Sequence, residues 1–339
     1  MDVVSVRAAA RAKLGTYCRV CSLCDGRVCA GWVPGIGGVG TGSSFMRNVE
    51  AVQAIKLNLR TIHEVGEPDL RVELFGHRLD VPILAAPMAG GSSIGNAIGP
   101  PDSFEALVRG SWLAGGMGAT SDGPSDTLFE MGTRVIAGND GRGIAFIKPR
   151  SEEKQIVERI RLAEAGGLWA VGMDIDAAGA GGMTALGHPV SPKSPAQLAR
   201  IIASTRLPFV VKGVMTVGDA REAVDAGAAA IVVSNHGGRA LDHTPATIEV
   251  LPRIAEAVGD RVAVLADGGV RSGVDVLKFL ALGAEAVFVG RPLLIAAVGG
   301  GAEGVKAVID QYASQLRTAM ILTGCRDLGA IDEGVVHSG

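Results

Sequence analysis

The sequence predicts an α/β protein, a closed (β/α)8 TIM barrel with an N-terminal cysteine-rich extension, on three observations. Short apolar runs recur eight times between residues 82 and 291, with amphipathic segments between them. Glycine-rich turns of the kind that approach phosphates follow the last two runs, whereas a doubly wound dinucleotide fold carries such a turn after its first strand. The 339 residues, 47% of them hydrophobic, are enough for one large domain.

Taken in order, residues 1–15 place Arg7, Arg11 and Lys13 among alanines without a long apolar stretch, which reads as a helix rather than a secretory leader. Residues 1–47 are expected to form the extension and 48–339 the barrel domain. Residues 48–63 read as a helix leading into extended chain, and 72–79 alternate as a hairpin placed to plug the bottom of the barrel. The eight strands are expected at 82–88, 115–121, 143–148, 170–176, 208–214, 230–235, 262–267 and 287–291. Helices are expected at 152–165, 217–226 and 245–258, where apolar residues at helical spacing face away from charges. Most of the 49 glycines punctuate strand and helix ends, while 298–304 is glycine-saturated and expected to be mobile.

The net charge is −3 and the pI about 6.1, with no basic run, so nucleic acid and membrane surfaces are poor candidate partners. No charge-free span of about 18 residues reads as a membrane helix. The expectation is a cytoplasmic protein with a small-molecule site.

The chemistry concentrates in Ser234-Asn235-His236-Gly237-Gly238-Arg239-Ala240-Leu241-Asp242, directly after the apolar run Ala230-Ile231-Val232-Val233. A strand ends where its loop begins, so His236 and Arg239 should stand together at the carboxyl edge of the sheet. One can take a proton while the other holds an anion. Residues 263–271 and 286–291 each repeat the form of an apolar strand followed by Gly and Arg, where bare backbone N–H groups can meet a phosphate.

On these segments the chain resembles the FMN-dependent 2-hydroxy-acid dehydrogenase and oxidase family, which includes glycolate oxidase and lactate oxidase. The resemblance is strong from Leu207 to Leu328 and weaker before. It implies oxidation of a 2-hydroxy acid, which needs a base, a carboxylate clamp and a flavin. His236 matches the base, Asp176 its partner carboxylate, and Arg239 the carboxylate anchor, for which the bland alternative is a salt bridge to Asp242. Lys212 matches the lysine beside the flavin pyrimidine ring, where it would stabilise negative charge. The resemblance further implies FMN contacts from Ala86-Pro87-Met88-Ala89, Ser121 and Ser234. It gives Asp267 and Gly268 to the ribityl side, and Gly269, Arg271, Gly290 and Arg291 to the phosphate.

The pattern fails on the substrate side. The family's tyrosine of the third strand falls on Lys148 and its neighbouring glutamine on Phe146. The arginine that follows the strand-four aspartate is absent from Asp176-Ala177-Ala178-Gly179-Ala180-Gly181-Gly182, and the tyrosine near the amino terminus has no counterpart. Substrate identity is therefore open. Lys148 either replaces some of the lost anion binding or is a strand-end lysine reaching for water.

Four of the five cysteines, Cys18, Cys21, Cys24 and Cys29, form a C-x2-C-x2-C-x4-C run that the familiar hydroxy-acid oxidases lack. Close thiolates on a turn-rich segment suggest a metal site. The readings are a 4Fe–4S cluster, whose ferredoxin-type loop shares the first two spacings, structural zinc, or free or redox-paired thiols. A cluster would favour an electron acceptor other than oxygen. Cys325 is expected as buried packing in the final helix. The rival functions are an FMN-dependent isomerase of the type 2 isopentenyl diphosphate isomerase kind and a non-catalytic flavin and iron–sulfur electron-carrier subunit. Resemblance to the family also implies a homo-oligomer, often a tetramer.

Overall fold

Strands buried on both faces read as continuous apolar runs, and the chain rolls eight of them into one closed parallel barrel. The computed structural model describes residues 1–31 and 36–337. Helices α1 (Val3–Leu14) and α2 (Ser43–Ala54) precede an antiparallel hairpin of β1 (Val72–Leu74) and β2 (His77–Leu79). The barrel strands are β3 (Ile83–Ala85), β4 (Met117–Ser121), β5 (Gly143–Ile147), β6 (Ala170–Asp174), β7 (Phe209–Val214), β8 (Ala230–Val233), β9 (Ala263–Ala266) and β10 (Ala286–Val289), with β10 closing onto β3. Between and after them lie α3 (Pro100–Leu113), α4 (Asp126–Ala137), α5 (Glu153–Ala165), α6 (Gly181–Ala185), α7 (Pro195–Ala203), α8 (Val217–Asp225), α9 (Thr247–Val258), α10 (Gly273–Ala281) and α11 (Arg291–Thr323).

Period-two alternation divides the strand side chains between two cores. Ala145, Ile147, Val171, Met173, Val211, Ile231, Val264 and Val287 point outward and pack under the helices. Ile144, Phe146, Ala170, Val210, Ala230, Val232, Leu265 and Phe288 fill the interior, where Leu74 and Leu79 of the hairpin join them and plug the barrel as the alternation predicts. Each fully buried Leu, Val or Phe contributes about 1.5–3 kcal/mol. The Phe146 ring meets Phe288 edge-on at 6.0 Å and lies over Gly172, where an added Cβ would sit 2.6 Å from it.

Three expectations need correction. Residues 298–304 belong to α11, broken only at Gly301 (φ +57). Their glycines serve close packing, since a Cβ on Gly299 would lie 2.1 Å from the Val6 carbonyl oxygen of α1. The helix that opens 48–63 starts earlier, at Ser43, after Gly42 in the left-handed conformation; it ends at Ala54 and gives way to extended chain at Ile55, as expected. Cys325 is buried as expected but follows the final long helix, which stops at the left-handed Gly324. By length and composition α11 also passes as a membrane span, which the sequence reading did not single out. Half of its most apolar window is buried, and it packs against α1, α3 and α10.

Candidate active site

One further inward step along each strand leaves the apolar interior and reaches the carboxyl edge. Two residues beyond Ala119, Phe146, Gly172, Val210, Val232 and Leu265 stand Ser121, Lys148, Asp174, Lys212, Ser234 and Asp267. The same phase in β3 and β10 gives Met88 and Gly290. A cavity of about 850 Å³ opens above this layer and is lined by residues 86–89, Ser121, Lys148, Asp176, Lys212, His236, Arg239, 267–271, Gly290 and Arg291. Nearly all the residues singled out from the sequence thus share one cavity; Ser234 lies just beneath it, fully buried.

The floor is a chain of charges. Lys212 is buried, with its Nζ 3.4 Å from Asp174 Oδ1, 3.4 Å from Asp267 Oδ2 and donating to Ser234 Oγ at 3.1 Å. Burial alone would lower the pKa of this ammonium, but Asp267 and Asp174 outweigh burial and raise it, so the charge is fixed. Ser234 donates its hydroxyl to Asp267 Oδ2 at 2.8 Å and accepts the His236 backbone N–H at 3.1 Å. That bond helps hold His236 in its left-handed conformation, φ +57.

His236 Nδ1 lies 3.0 Å from Asp176 Oδ1. A carboxylate only accepts, so Nδ1 carries the proton and Nε2 is left as the basic nitrogen. Burial lowers the pKa of the imidazole; Asp176 opposes this, while Lys212 and Lys148 reinforce it, and the net shift is downward. The ring is therefore neutral, and able to accept a proton, at neutral pH. Asp174, Asp176 and His236 also bring ligand atoms within 4.8 Å of one another. Lys148 and Lys212 already neutralise Asp174, which makes this a proton-handling cluster rather than a cation site.

Lys148 donates to Asp174 Oδ2 at 2.7 Å. Burial pushes the Asp174 carboxyl up, but Lys148 and Lys212 overcome it and hold the group below the usual carboxylate range. Arg239 opens onto the cavity with no hydrogen bond or ion pair among the described residues, so the alternative of a bridge to Asp242 does not hold. Asp242 instead accepts from Thr41 N (2.6 Å), Thr41 Oγ1 (2.7 Å) and Ser43 Oγ (2.8 Å). Phe146 does not line the cavity; Phe288 does.

At the other end stand the two arginines that follow β9 and β10. Arg271 Nε donates to the Cys24 carbonyl at 2.8 Å, and Arg291 Nε to the Ile36 carbonyl at 2.7 Å. The Arg291 guanidinium lies 3.7 Å from the centroid of the Phe45 ring, and its Nη2 is buried without a hydrogen-bond partner among the described residues. Asp267 Oδ1 is likewise buried with no hydrogen bond among the described residues. A phosphate oxygen would satisfy the first and a sugar-alcohol hydroxyl the second, so these residues fit an FMN. Gly269 (φ +92) is required here, because a Cβ would lie 2.4 Å from the Asn48 carbonyl oxygen of α2.

Sequence reasoning missed four contributors. Asp174 shares the inward phase of Lys148 and Lys212, a signal that was available. Asn48 exchanges amide hydrogen bonds with Asn235 (2.8 and 3.1 Å) and accepts Thr247 N–H at 3.1 Å, while Phe45 carries Arg291 on its ring. These depend on contacts across some 190 to 250 positions, to which spacing gives no clue. Fully buried Arg150 grips Asp122 through Nε (2.9 Å) and Nη2 (2.7 Å), tying together the loops after β4 and β5.

Fold and site together define a barrel oxidoreductase with a phosphate-bearing cofactor. The chain belongs to the FMN-dependent dehydrogenase family, whose sequence pattern matches residues 35–193 and 187–338. It is 33% identical to the 4-hydroxymandelate oxidase of Amycolatopsis orientalis over 330 residues, covering 87% of this chain and 90% of that one. It is 31% identical to the L-lactate oxidase of a Nostoc species over 352 residues, covering 89% and 92%. A crystal structure of mandelate oxidase superposes with a TM-score of 0.81 at 30% identity, covering 100% of this chain and 98% of that one. The family pattern starts after Cys29, so the cysteine run lies outside it.

Proposed function

We propose that the protein oxidises a 2-hydroxy acid to the 2-oxo acid at the cavity above β3–β10. The observation that carries this reading is the His236–Asp176 pair in the same cavity as Arg239, which has no hydrogen bond or ion pair among the described residues. Residues 86–89, Ser121, Lys212, Ser234, Asp267, Gly268, Gly269, Arg271, Gly290 and Arg291 would hold FMN, which when bound supplies the two-electron acceptor for the α-hydrogen. Arg239 binds the substrate carboxylate through its planar fork. His236 Nε2 takes the hydroxyl proton, and Asp176 stabilises the imidazolium that results. Lys212 presents a fixed positive charge at the cavity floor, where low dielectric makes it effective. Lys148 stands where the family's tyrosine would, so its ammonium, shared with Asp174, faces the substrate in place of a phenol.

Substrate size follows from the cavity lining, to which Leu128, Met131, Met183 and Leu186 contribute apolar surface. This favours a 2-hydroxy acid with a large apolar side chain, in keeping with the mandelate-oxidising relatives. We assign Cys18, Cys21, Cys24 and Cys29 to a thiolate-bound metal, either a 4Fe–4S cluster or zinc.

The test is the absorption spectrum of anaerobically purified protein before and after a panel of 2-hydroxy acids graded in side-chain size. Bleaching of the flavin by the apolar members supports the reading. A flavin that stays oxidised with every member removes it in favour of the isomerase or carrier alternatives. Admitting air to the bleached protein then tells whether oxygen is the acceptor.

A further inference from the structure

The cysteine run is built onto the phosphate end of the cofactor cavity. Cys18, Cys21, Cys24 and Cys29 are all half-buried and line the same cavity as Arg271 and Arg291. Arg271 spends its Nε–H on the carbonyl of Cys24, itself one of the four, and Arg291 its Nε–H on the carbonyl of Ile36, just beyond them. The backbone of the run is tied down from its other side by α1. Arg11 Nη2 donates to the Val20 carbonyl at 2.9 Å, Arg11 Nε to the Arg19 carbonyl at 3.2 Å, and Arg7 reaches the carbonyls of Val20 and Cys21. Gly26 packs so closely on Phe45, which carries Arg291, that a Cβ would lie 2.7 Å from the ring.

No three of the four sulfurs lie within the reach of a single ion. Among the described residues the only trio of ligand atoms within 4.8 Å is Asp174, Asp176 and His236. A single zinc would have to draw the thiols together, whereas a 4Fe–4S cluster spans wider sulfur separations; either centre would pin the segment at Cys24, whose own carbonyl accepts from Arg271.

We infer that a metal centre on Cys18, Cys21, Cys24 and Cys29 acts as a latch on the cofactor phosphate, so that metal occupancy and FMN retention are thermodynamically coupled. The inference rests on the assignment of those cysteines to a metal. Coupling of this kind is reciprocal: whatever factor the metal adds to FMN affinity, FMN adds to metal affinity. It acts through Arg271 and Arg291, so it requires the phosphate. Riboflavin, which has the ring system and the ribityl chain but no phosphate, should not feel it.

The experiment measures metal content and flavin affinity on the full chain. Iron, zinc and acid-labile sulfide are assayed in anaerobically purified protein, which separates a cluster from zinc. Flavin-depleted protein is then titrated with FMN and with riboflavin by fluorescence quenching, with the metal in place, after chelation, and after the metal is restored. The expected result is about tenfold or greater weakening of FMN binding on chelation, recovery on reloading, and no change for riboflavin. Recovery on reloading guards against simple unfolding, and Cys29→Ser should reproduce the chelated state without chelator. Protein that holds no metal even when purified anaerobically and offered zinc or iron and sulfide overturns the metal assignment. Stoichiometric metal whose removal leaves FMN affinity unchanged, or weakens riboflavin equally, overturns the latch and leaves the metal assignment standing.

Discussion

Asp176 reaches His236 because the backbone of β7 is dented beside it. The register of β7 on β8 shifts between Lys212 and Val214, and at the intervening Gly213 (φ +103) an added Cβ would lie 2.6 Å from both Cβ and Cγ of Asp176. The glycine therefore makes the space in which the carboxylate stands 3.0 Å from the imidazole.

Gly213→Ala should combine a strained positive φ with a direct overlap. We expect a loss of about 3 kcal/mol in urea unfolding, together with a fall in kcat that outlasts correction for folded protein. A variant as stable and active as the parent would mean that the dent does not position Asp176.

Asp176→Asn keeps the shape and removes the charge that stabilises the imidazolium. Steady-state kcat/KM is expected to fall roughly 100- to 10,000-fold. Its acid limb should move to lower pH, because Asp176 is the main influence raising the His236 pKa. A limb displaced upward would contradict the charge assignment.

Lys148→Met tests the opposite sign. Lys148 contributes to holding His236 below its ordinary value of 6.5. The base is active only when neutral, so the rate is present above its pKa and lost as pH falls through it. Removing the ammonium, and with it a counter-charge of Asp174, should shift the acid limb of kcat/KM upward. If the limb stays in place, the lysine does not act on the base.

Arg150→Ala leaves Asp122 without its bidentate partner in the interior. Breaking a buried pair in this way costs about 3–5 kcal/mol, to be read from the denaturation midpoint. Arg159, whose Nε is 3.2 Å from Asp122, offsets part of the loss. Double replacement with Asp122→Leu should be less damaging than Arg150→Ala alone.

Much of this architecture was legible in the sequence because the strands and their loops are local objects. Each apolar run fixes its own strand, and the glycines and arginines after β9 and β10 announce their loops within a few residues. His236, Arg239, Lys212 and Asp267 follow from that. What spacing could not supply is whatever joins distant segments: the Asn48–Asn235 amide pair, the Phe45 platform under Arg291, and the grip of Arg150 on Asp122. The glycines of 298–304 misled for a related reason. Their lack of side chains serves the approach of α1, some 290 positions earlier, and only the folded chain shows that a bare backbone there marks tight packing.

The seam between the chain's beginning and the His236 loop has a consequence for how the protein is made. Thr41 bonds Asp242 across 201 positions, and Val39 N–H meets the Gly238 carbonyl at 2.9 Å nearby. A ribosome adding about 5–20 residues each second needs roughly 10–40 s to supply the docking partner of that first segment. For most of that interval the cysteine run has no barrel to pack against, and its thiols are more open to oxidants and stray metals than in the half-buried setting of the folded chain. Newborn chains thus pass through a window of chemical vulnerability that docking onto the barrel narrows.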